Sequence, residues 1–193
     1  CQTDMFLRFA QPTVVSITGS KGKTTTSTLF YEMLKAGGKN TCLIGNIGVP
    51  VFEKADEDED LIAVIEMSSH QLEFTKASPK VAVLVNIYEE HLDHYKTGFD
   101  GYANSKLNIT RYQTSEDYFV YNDEQDVGHD LDITKAVGGK EIKVGFSTAE
   151  NDSFVNELWK STEHLKGEHN RQDIAYALAV ARIFGVSDEC VKN

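Results

Sequence analysis

Unbroken apolar runs alternate with stretches of helical period along most of this chain. The runs TVVSIT (13–18), LIAVIEM (61–67) and KVAVLVNI (80–87) are compact and rich in β-branched residues, and NTCLI (40–44) is a shorter version. Apolar runs with so little polar alternation predict strands covered on both faces. TTTSTLFYEMLKAGG (24–38) predicts a helix, with Phe30, Met33 and Leu34 on one face and a stop at Gly37-Gly38. DGYANSKLNITRY (100–112) predicts a second helix. EHNRQDIAYALAVARIFG (168–185) predicts a third, with Ile174, Ala177, Leu178 and Ala181 at the i, i+3, i+4, i+7 spacing. DYFVYN (117–122) and EIKVGFS (141–147) read as strands, and the weakly patterned stretch 148–166 reads as short antiparallel strands. The expectation is one α/β domain: a mainly parallel sheet flanked by helices, plus a small antiparallel sheet.

Composition narrows the function. The formal net charge of −11 argues against a nucleic-acid surface, since no basic stripe offsets it. No apolar run is long enough to span a membrane, and no signal peptide is visible. Cys1, Cys42 and Cys190 are too widely spaced for a metal or disulfide pattern, which suits a reducing cytoplasm. The acidic run EKADEDED (53–60) lacks the glycine and ligand spacing of a calcium loop and reads as a solvated loop.

The chemistry starts at ITGSKGKTTT (17–26). The common phosphate loop is G-x-x-x-x-G-K-[ST]; here Ile17 stands at the first position and the loop is the shorter Gly19-Ser20-Lys21-Gly22-Lys23-Thr24-Thr25. Its context is a strand before and a helix after, which aims backbone N–H groups and a helix dipole at an anion. Lys23 is placed to neutralise β/γ-phosphate charge, and the Thr24 hydroxyl to hold Mg²⁺.

In an open α/β sheet, ligands lie beyond the carboxyl ends of the strands. Every strand exit here is polar. Asn46 follows the second strand. Glu66 closes the third, before Ser68, Ser69, His70 and Gln71. Asn86 closes the fourth, before Glu89, Glu90, His91 and Asp93. A carboxylate ending an apolar run needs a partner, and a hard divalent cation is the natural one in a phosphate site. Read alone, His91 fits a hydrogen-bonded surface group better than a ligand. Lys106 shares a helical stripe with Phe99, Tyr102 and Ala103. Either its stem packs and its ammonium reaches water, or desolvation lowers its pKa and leaves an amine able to form a carbamate with carbon dioxide.

The ordered motifs TGSKGKTTT, GNIGVP, EMSSHQLE, NIYEEHLDHY, YANSK and GEHNRQD resemble the Mur ligases of peptidoglycan synthesis, from about residue 6 to residue 185. GNIGVP and SSHQLE look most like the branch that joins D-glutamate to UDP-N-acetylmuramoyl-L-alanine. The resemblance is to the central of three domains. It implies that 1–12 connects from an absent N-terminal UDP-binding domain, that 13–193 binds ATP, and that a C-terminal amino-acid-binding domain is absent. It implies that Gly19 through Thr26, with Asn170 by the adenine, hold ATP. It implies that Thr24 and Glu66 bind one Mg²⁺, and that His91 and a carbamylated Lys106 bind a second. Asn46, Ser69 and Gln71 would face the muramoyl-alanine end, and Lys23, His91 and Lys106 would serve catalysis through an acyl phosphate. The chain is expected to be a cytoplasmic monomer without nucleic-acid or membrane partners, and inactive as a ligase by itself. Three departures stand out: Lys21 where Asn is common, His70 where an aromatic is frequent, and Asp173 at the second Asn of H-N-x-x-N. Two alternatives remain open: another Mur or folylpolyglutamate-synthase-like ligase, or a non-catalytic nucleotide-binding module.

Overall fold

The computed structural model describes residues 2–45, 53, 60–125, 133 and 138–192. The elements run α1 (Gln2–Phe9), β1 (Thr13–Thr18), α2 (Lys23–Ala36), β2 (Thr41–Gly45), β3 (Ile62–Glu66), α3 (Ser69–Glu73), β4 (Val81–Leu84) and α4 (Phe99–Leu107). They continue with β5 (Tyr118–Tyr121), β6 (Lys140–Lys143), α5 (Phe146–Asn151), α6 (Ser153–Ser161), α7 (Glu168–Ile183) and α8 (Asp188–Val191). The six strands form one sheet in the order β2-β3-β1-β4-β5-β6, and every pairing is parallel.

Side-chain alternation along the strands divides the interior into two cores. Val15, Ile17, Val64, Val83 and Val120 face one side, against Phe30 and Leu34 of α2, Val155 of α6 and Ile174 and Leu178 of α7. Val14, Ala63, Ile65, Ala82, Leu84 and Phe119 face the other, against Phe6 of α1, Leu72 of α3 and Tyr102 and Leu107 of α4. Strands with apolar residues on both faces must be covered on both, which is why the runs at 61–67 and 80–87 show no alternation. β6 lies at the sheet edge, and its KEIK sequence is largely exposed, so charge protects that edge from further pairing.

The topology makes one crevice. The chain leaving β1 enters α2 on the first face, and the chain leaving the adjacent β4 reaches α4 on the second. The two connections part at the carboxyl ends of neighbouring strands, the place where such sheets bind ligands.

Two expectations need correction. Among the described residues no antiparallel pairing occurs, and the strands at 118–121 and 140–143 extend the parallel sheet instead. The stretch 148–166 holds helices α5 and α6. Phe154, Val155, Leu158 and Trp159 form a helical stripe packed on the first core, and the Asp152 carboxylate starts α6 by accepting from Phe154 N and Val155 N. Each helix is too short for its period to stand out. The segment 2–9, within the stretch expected to connect from a further domain, forms helix α1 with Phe6 1% exposed. Asn46 and most of the acidic run 53–60 lie outside the described residues. No helix among the described residues is long and apolar enough to cross a membrane.

Truncating a buried Phe costs about 3–5 kcal/mol. Phe6→Ala is therefore expected to lose about that much in urea unfolding, whereas Phe9→Ala, at a position 72% exposed, should change stability by less than about 0.5 kcal/mol. Equal, small effects would show that α1 does not belong to the folded core.

Candidate functional site at the carboxyl edge of the sheet

The loop between β1 and α2 is shaped by two glycines and one asparagine. Gly22, at the α2 N-cap, has φ +82°, and a Cβ there would lie 2.9 Å from Asp173 Oδ1 and 3.3 Å from Val85 Cγ1. Both the left-handed backbone and the close approach exclude other residues. At Gly19 a Cβ would lie 3.1 Å from Val85 Cβ. Asn86, just past β4, holds the loop from the side. Its Oδ1 accepts from Ser20 N at 3.1 Å and Lys21 N at 2.9 Å, and its Nδ2 donates to Lys21 O at 3.0 Å. No side chain caps the start of α2, so its first N–H groups face the crevice without an internal acceptor. This is the arrangement that receives an anion.

Two lysines converge on the loop. Lys23 Nζ donates to Gly19 O at 2.9 Å and Ser20 O at 3.2 Å. Lys106 Nζ, arriving from α4 on the opposite face of the sheet, donates to the same Gly19 O at 2.7 Å and lies 4.7 Å from the centre of the Tyr102 ring. Lys106 is 2% exposed. Burial, then repulsion from Lys23, lowers its pKa to about 7 against a weaker pull from Glu90. Of the two readings of Lys106, the snorkelling one does not hold: the ammonium ends inside, on a backbone carbonyl.

Glu66 is the last residue of β3, and its register partner in β1 is Ile17. The carboxylate, on a residue 9% exposed, accepts from Thr24 Oγ1 at 2.9 Å. A hydroxyl and a carboxylate at the mouth of a phosphate loop are hard oxygen donors of the kind Mg²⁺ takes. Among the described residues no three His, Cys, Asp or Glu side chains converge on one point. A cation here would complete its shell with phosphate oxygens and water. Lys106 as an amine cannot supply an oxygen; only its carbamate would.

The remaining sequence candidates fall in different places. His91 is exposed and has φ +52°, the one positive value outside glycine among the described residues. Such backbone costs about 1–2 kcal/mol for an L-residue and points to a position held for a reason. Its ring centre lies 6.3 Å from that of Tyr102 and 5.7 Å from that of His70, so it neighbours the Lys106 group through Tyr102. Asn170 and Thr25 line a cleft of about 550 Å³ with Lys21, His169 and Asp173. Thr26 is fully buried, and its hydroxyl is directed to Gly22 O and to Asp173 Oδ1. Ser69 is buried in the first turn of α3. Gln71 closes a capping box there: its Oε1 accepts from Ser68 N at 2.8 Å, and its Nε2 reaches Thr3 Oγ1 at 3.4 Å.

Sequence reasoning missed four contributors. Asn86 was visible as a polar strand exit, but nothing local tied it to the loop. Tyr102 looked like part of a packed face. The half-exposed rings of Tyr88 and Phe146 line the 550 Å³ cleft; Tyr88 lies within NIYEEHLDHY without having been singled out, and Phe146 belongs to no motif. The structure also answers the departure at 173. The Asp173 carboxylate accepts from Thr26 Oγ1 at 3.0 Å and packs on Gly22, so it braces the loop from behind.

Burial raises the Asp173 pKa to about 6, opposed by the Thr26 hydrogen bond and by His169. A carboxyl raised on folding contributes stability that is complete below its ordinary pKa near 3.8 and is lost as pH rises through about 6. Asp173→Asn keeps an acceptor for Thr26 without the charge. The variant should melt higher than the parent above pH 6, with the gap closing as pH falls toward 4. Identical melting temperatures at pH 8 would contradict a buried, disfavoured charge at this position.

Residues 17–184 match the family model described as the Mur ligase middle domain. The chain is 36% identical over 210 residues to the UDP-N-acetylmuramoylalanine--D-glutamate ligase of Alkaliphilus metalliredigens (strain QYMF), covering 97% of this chain and 44% of that protein. It is 36% identical over 207 residues to the enzyme of the same name from Geobacillus kaustophilus (strain HTA426), covering 100% of this chain and 45% of the relative. The chain thus spans less than half the length of these relatives. Among solved structures, MurF from Acinetobacter baumannii aligns with a TM-score of 0.70 at 24% identity, covering 96% of this chain and 46% of that one. FolC of E. coli in complex with ADP aligns with a TM-score of 0.64 at 15% identity, covering 98% and 59%. At such identities these structures speak for the fold, and the family model and the curated relatives speak for kinship. This chain belongs to the Mur ligase middle-domain family.

Proposed function

We propose that this chain is the nucleotide-handling domain of an ATP-dependent amide ligase that joins D-glutamate to UDP-N-acetylmuramoyl-L-alanine, as the names of its 36% identical relatives describe. The carrying observation is the meeting of Lys23, Lys106 and the Thr24–Glu66 pair around one uncapped helix start. Such a ligase activates a carboxylate by phosphoryl transfer from ATP, giving an acyl phosphate. The amine of D-glutamate then attacks, and phosphate leaves from the tetrahedral intermediate as the amide forms. Phosphoryl transfer needs positioning and charge neutralisation more than covalent help.

The residues divide that work. Gly19 to Thr25 and the first N–H groups of α2 receive the β- and γ-phosphates. The Lys23 ammonium exchanges its backbone carbonyl partners for phosphate oxygens. Thr24 and Glu66 hold Mg²⁺. A carbamylated Lys106, with His91, offers ligands for a second. Held by these residues, divalent cations would supply charge neutralisation for the transferring group. The half-open 550 Å³ cleft beside Asn170 takes the nucleoside, and the segments carrying Asn46, Ser69 and Gln71 take the acceptor end. Amino-acid recognition falls to parts of a longer protein, which would work as a cytoplasmic monomer.

The nearest competing reading, a folylpolyglutamate-synthase-like ligase, shares the fold with FolC at 15% identity. The D-glutamate ligase relatives are aligned at 36% over nearly the whole chain, which favours the first reading.

Calorimetry with Mg²⁺ and ATP on the 193-residue chain is expected to show binding. Lys23→Ala should weaken it at least about tenfold, equal to about 1.4 kcal/mol. Glu66→Gln should weaken it only when Mg²⁺ is present. Silence from the parent chain would remove the phosphate-loop assignment. For the carbamate, NMR in ¹³C-bicarbonate is expected to show one slow-exchanging carbamate carbon that Lys106→Arg abolishes. A signal that survives this substitution belongs to another amine.

A further inference from the structure

One hydroxyl ties three parts of this site together. Ser20 Oγ accepts from Tyr88 N at 2.8 Å, lies 3.1 Å from Tyr88 O, and lies 2.8 Å from the Tyr102 hydroxyl. Ser20 belongs to the phosphate loop, Tyr88 to the segment that leads from β4 to His91, and Tyr102 to α4. Ser20 is 8% exposed and Tyr102 is 1% exposed, so water does not compete for these bonds. The Tyr102 hydroxyl also reaches Glu90 Oε2 at 3.4 Å. Tyr102 and Lys106 are four residues apart on α4 and so share one face. That face grips the loop twice, at Ser20 Oγ through Tyr102 and at Gly19 O through Lys106.

We propose that Tyr102 is a positioning residue: through Ser20, its hydroxyl latches α4 to the phosphate loop and thereby sets where the Lys106 side chain stands. The two grips differ in permanence. The Lys106 grip depends on an ammonium donating to a carbonyl, and it changes whenever that nitrogen is modified or drawn to a phosphate. The Tyr102 grip joins two neutral hydroxyls and does not depend on the state of the lysine. The latch also keeps the segment carrying His91 in place, because Tyr88 shares the same oxygen. Its consequence for nucleotide binding rests on the function proposed above; the latch itself does not.

The test uses the 193-residue chain with Tyr102→Phe, Ser20→Ala and the double variant. Hydrogen exchange read by mass spectrometry reports the loop without any nucleotide. Tyr102→Phe keeps the ring and leaves Ser20 its Tyr88 partners, so the fold is retained. Exchange across residues 19–25 should quicken about tenfold while β3 and α7 stay as they were. Ser20→Ala, which also frees Tyr88 N, should quicken it at least as much, and adding Tyr102→Phe to Ser20→Ala should change little further, as expected for two ends of one interaction. The affinity for Mg²⁺ and ATP should fall about tenfold in all three, and Ser20→Thr should restore it. Loop exchange that is unchanged, exchange that quickens everywhere alike, or single effects that add in the double variant would each overturn the latch. If the parent binds no nucleotide yet the variants loosen the loop locally, the latch stands and the phosphate reading falls. Should Tyr102→Phe not fold, Ser20→Ala against Ser20→Thr decides by the same loop exchange.

Discussion

A strand paired in parallel on both sides has its carboxyl end fixed beside those of its neighbours. Of the four such strands in this sheet, β1 is the one that leads into the loop. Its register with β3 sets Ile17 beside Glu66, and its register with β4 sets Thr18 beside Leu84. Two residues beyond Leu84 comes Asn86, and one residue beyond Thr18 comes Gly19. Loop, carboxylate and loop clamp are thus brought to one edge by the same hydrogen-bond ladders that build the sheet. A one-residue slip in either pairing would turn these side chains to the opposite face.

That edge concentrates groups that are costly elsewhere. The chain as a whole carries a net charge of −11, yet two lysines share one carbonyl where the loop opens. Each is partly compensated by backbone oxygen, and among the described residues neither has a carboxylate at ion-pair distance. An incoming polyphosphate would supply the missing counter-charge, which is why the arrangement is better read as a binding site than as a structural ion pair. Behind the loop, Asp173 is buried on the other side of Gly22. Its acidity is weakened by that burial, so it braces the loop without a full negative charge at mildly acidic pH.

The fold was legible wherever an element was long or buried on both faces. The strands at 13–18, 61–67 and 80–87, the helix opening at Lys23 and the long helix at 168–183 all stand close to where periodicity put them. Misreadings fell on short elements. Helices α5 and α6 have 6 and 9 residues, under three turns each, and a break at Asp152 interrupts the pattern between them. The parallel strand β6 is an exposed edge with a KEIK sequence, which by pattern alone suits an antiparallel ribbon as well.

What the sequence determined by itself is the glycine-rich loop between β1 and α2 and the shape of its entry and exit. Gly19, Gly22, Lys23 and Thr24 are contiguous, and the turn they make follows from local backbone freedom and from the helix that begins there. Tertiary structure alone decided the partners. Thr24 meets Glu66 across 42 positions, Ser20 meets Tyr102 across 82, Lys106 meets Gly19 across 87, and Thr26 meets Asp173 across 147. Contacts at such separations depend on strand order, register and the face each helix covers. No local propensity encodes these, because they arise only when two separate cores close on opposite sides of one sheet.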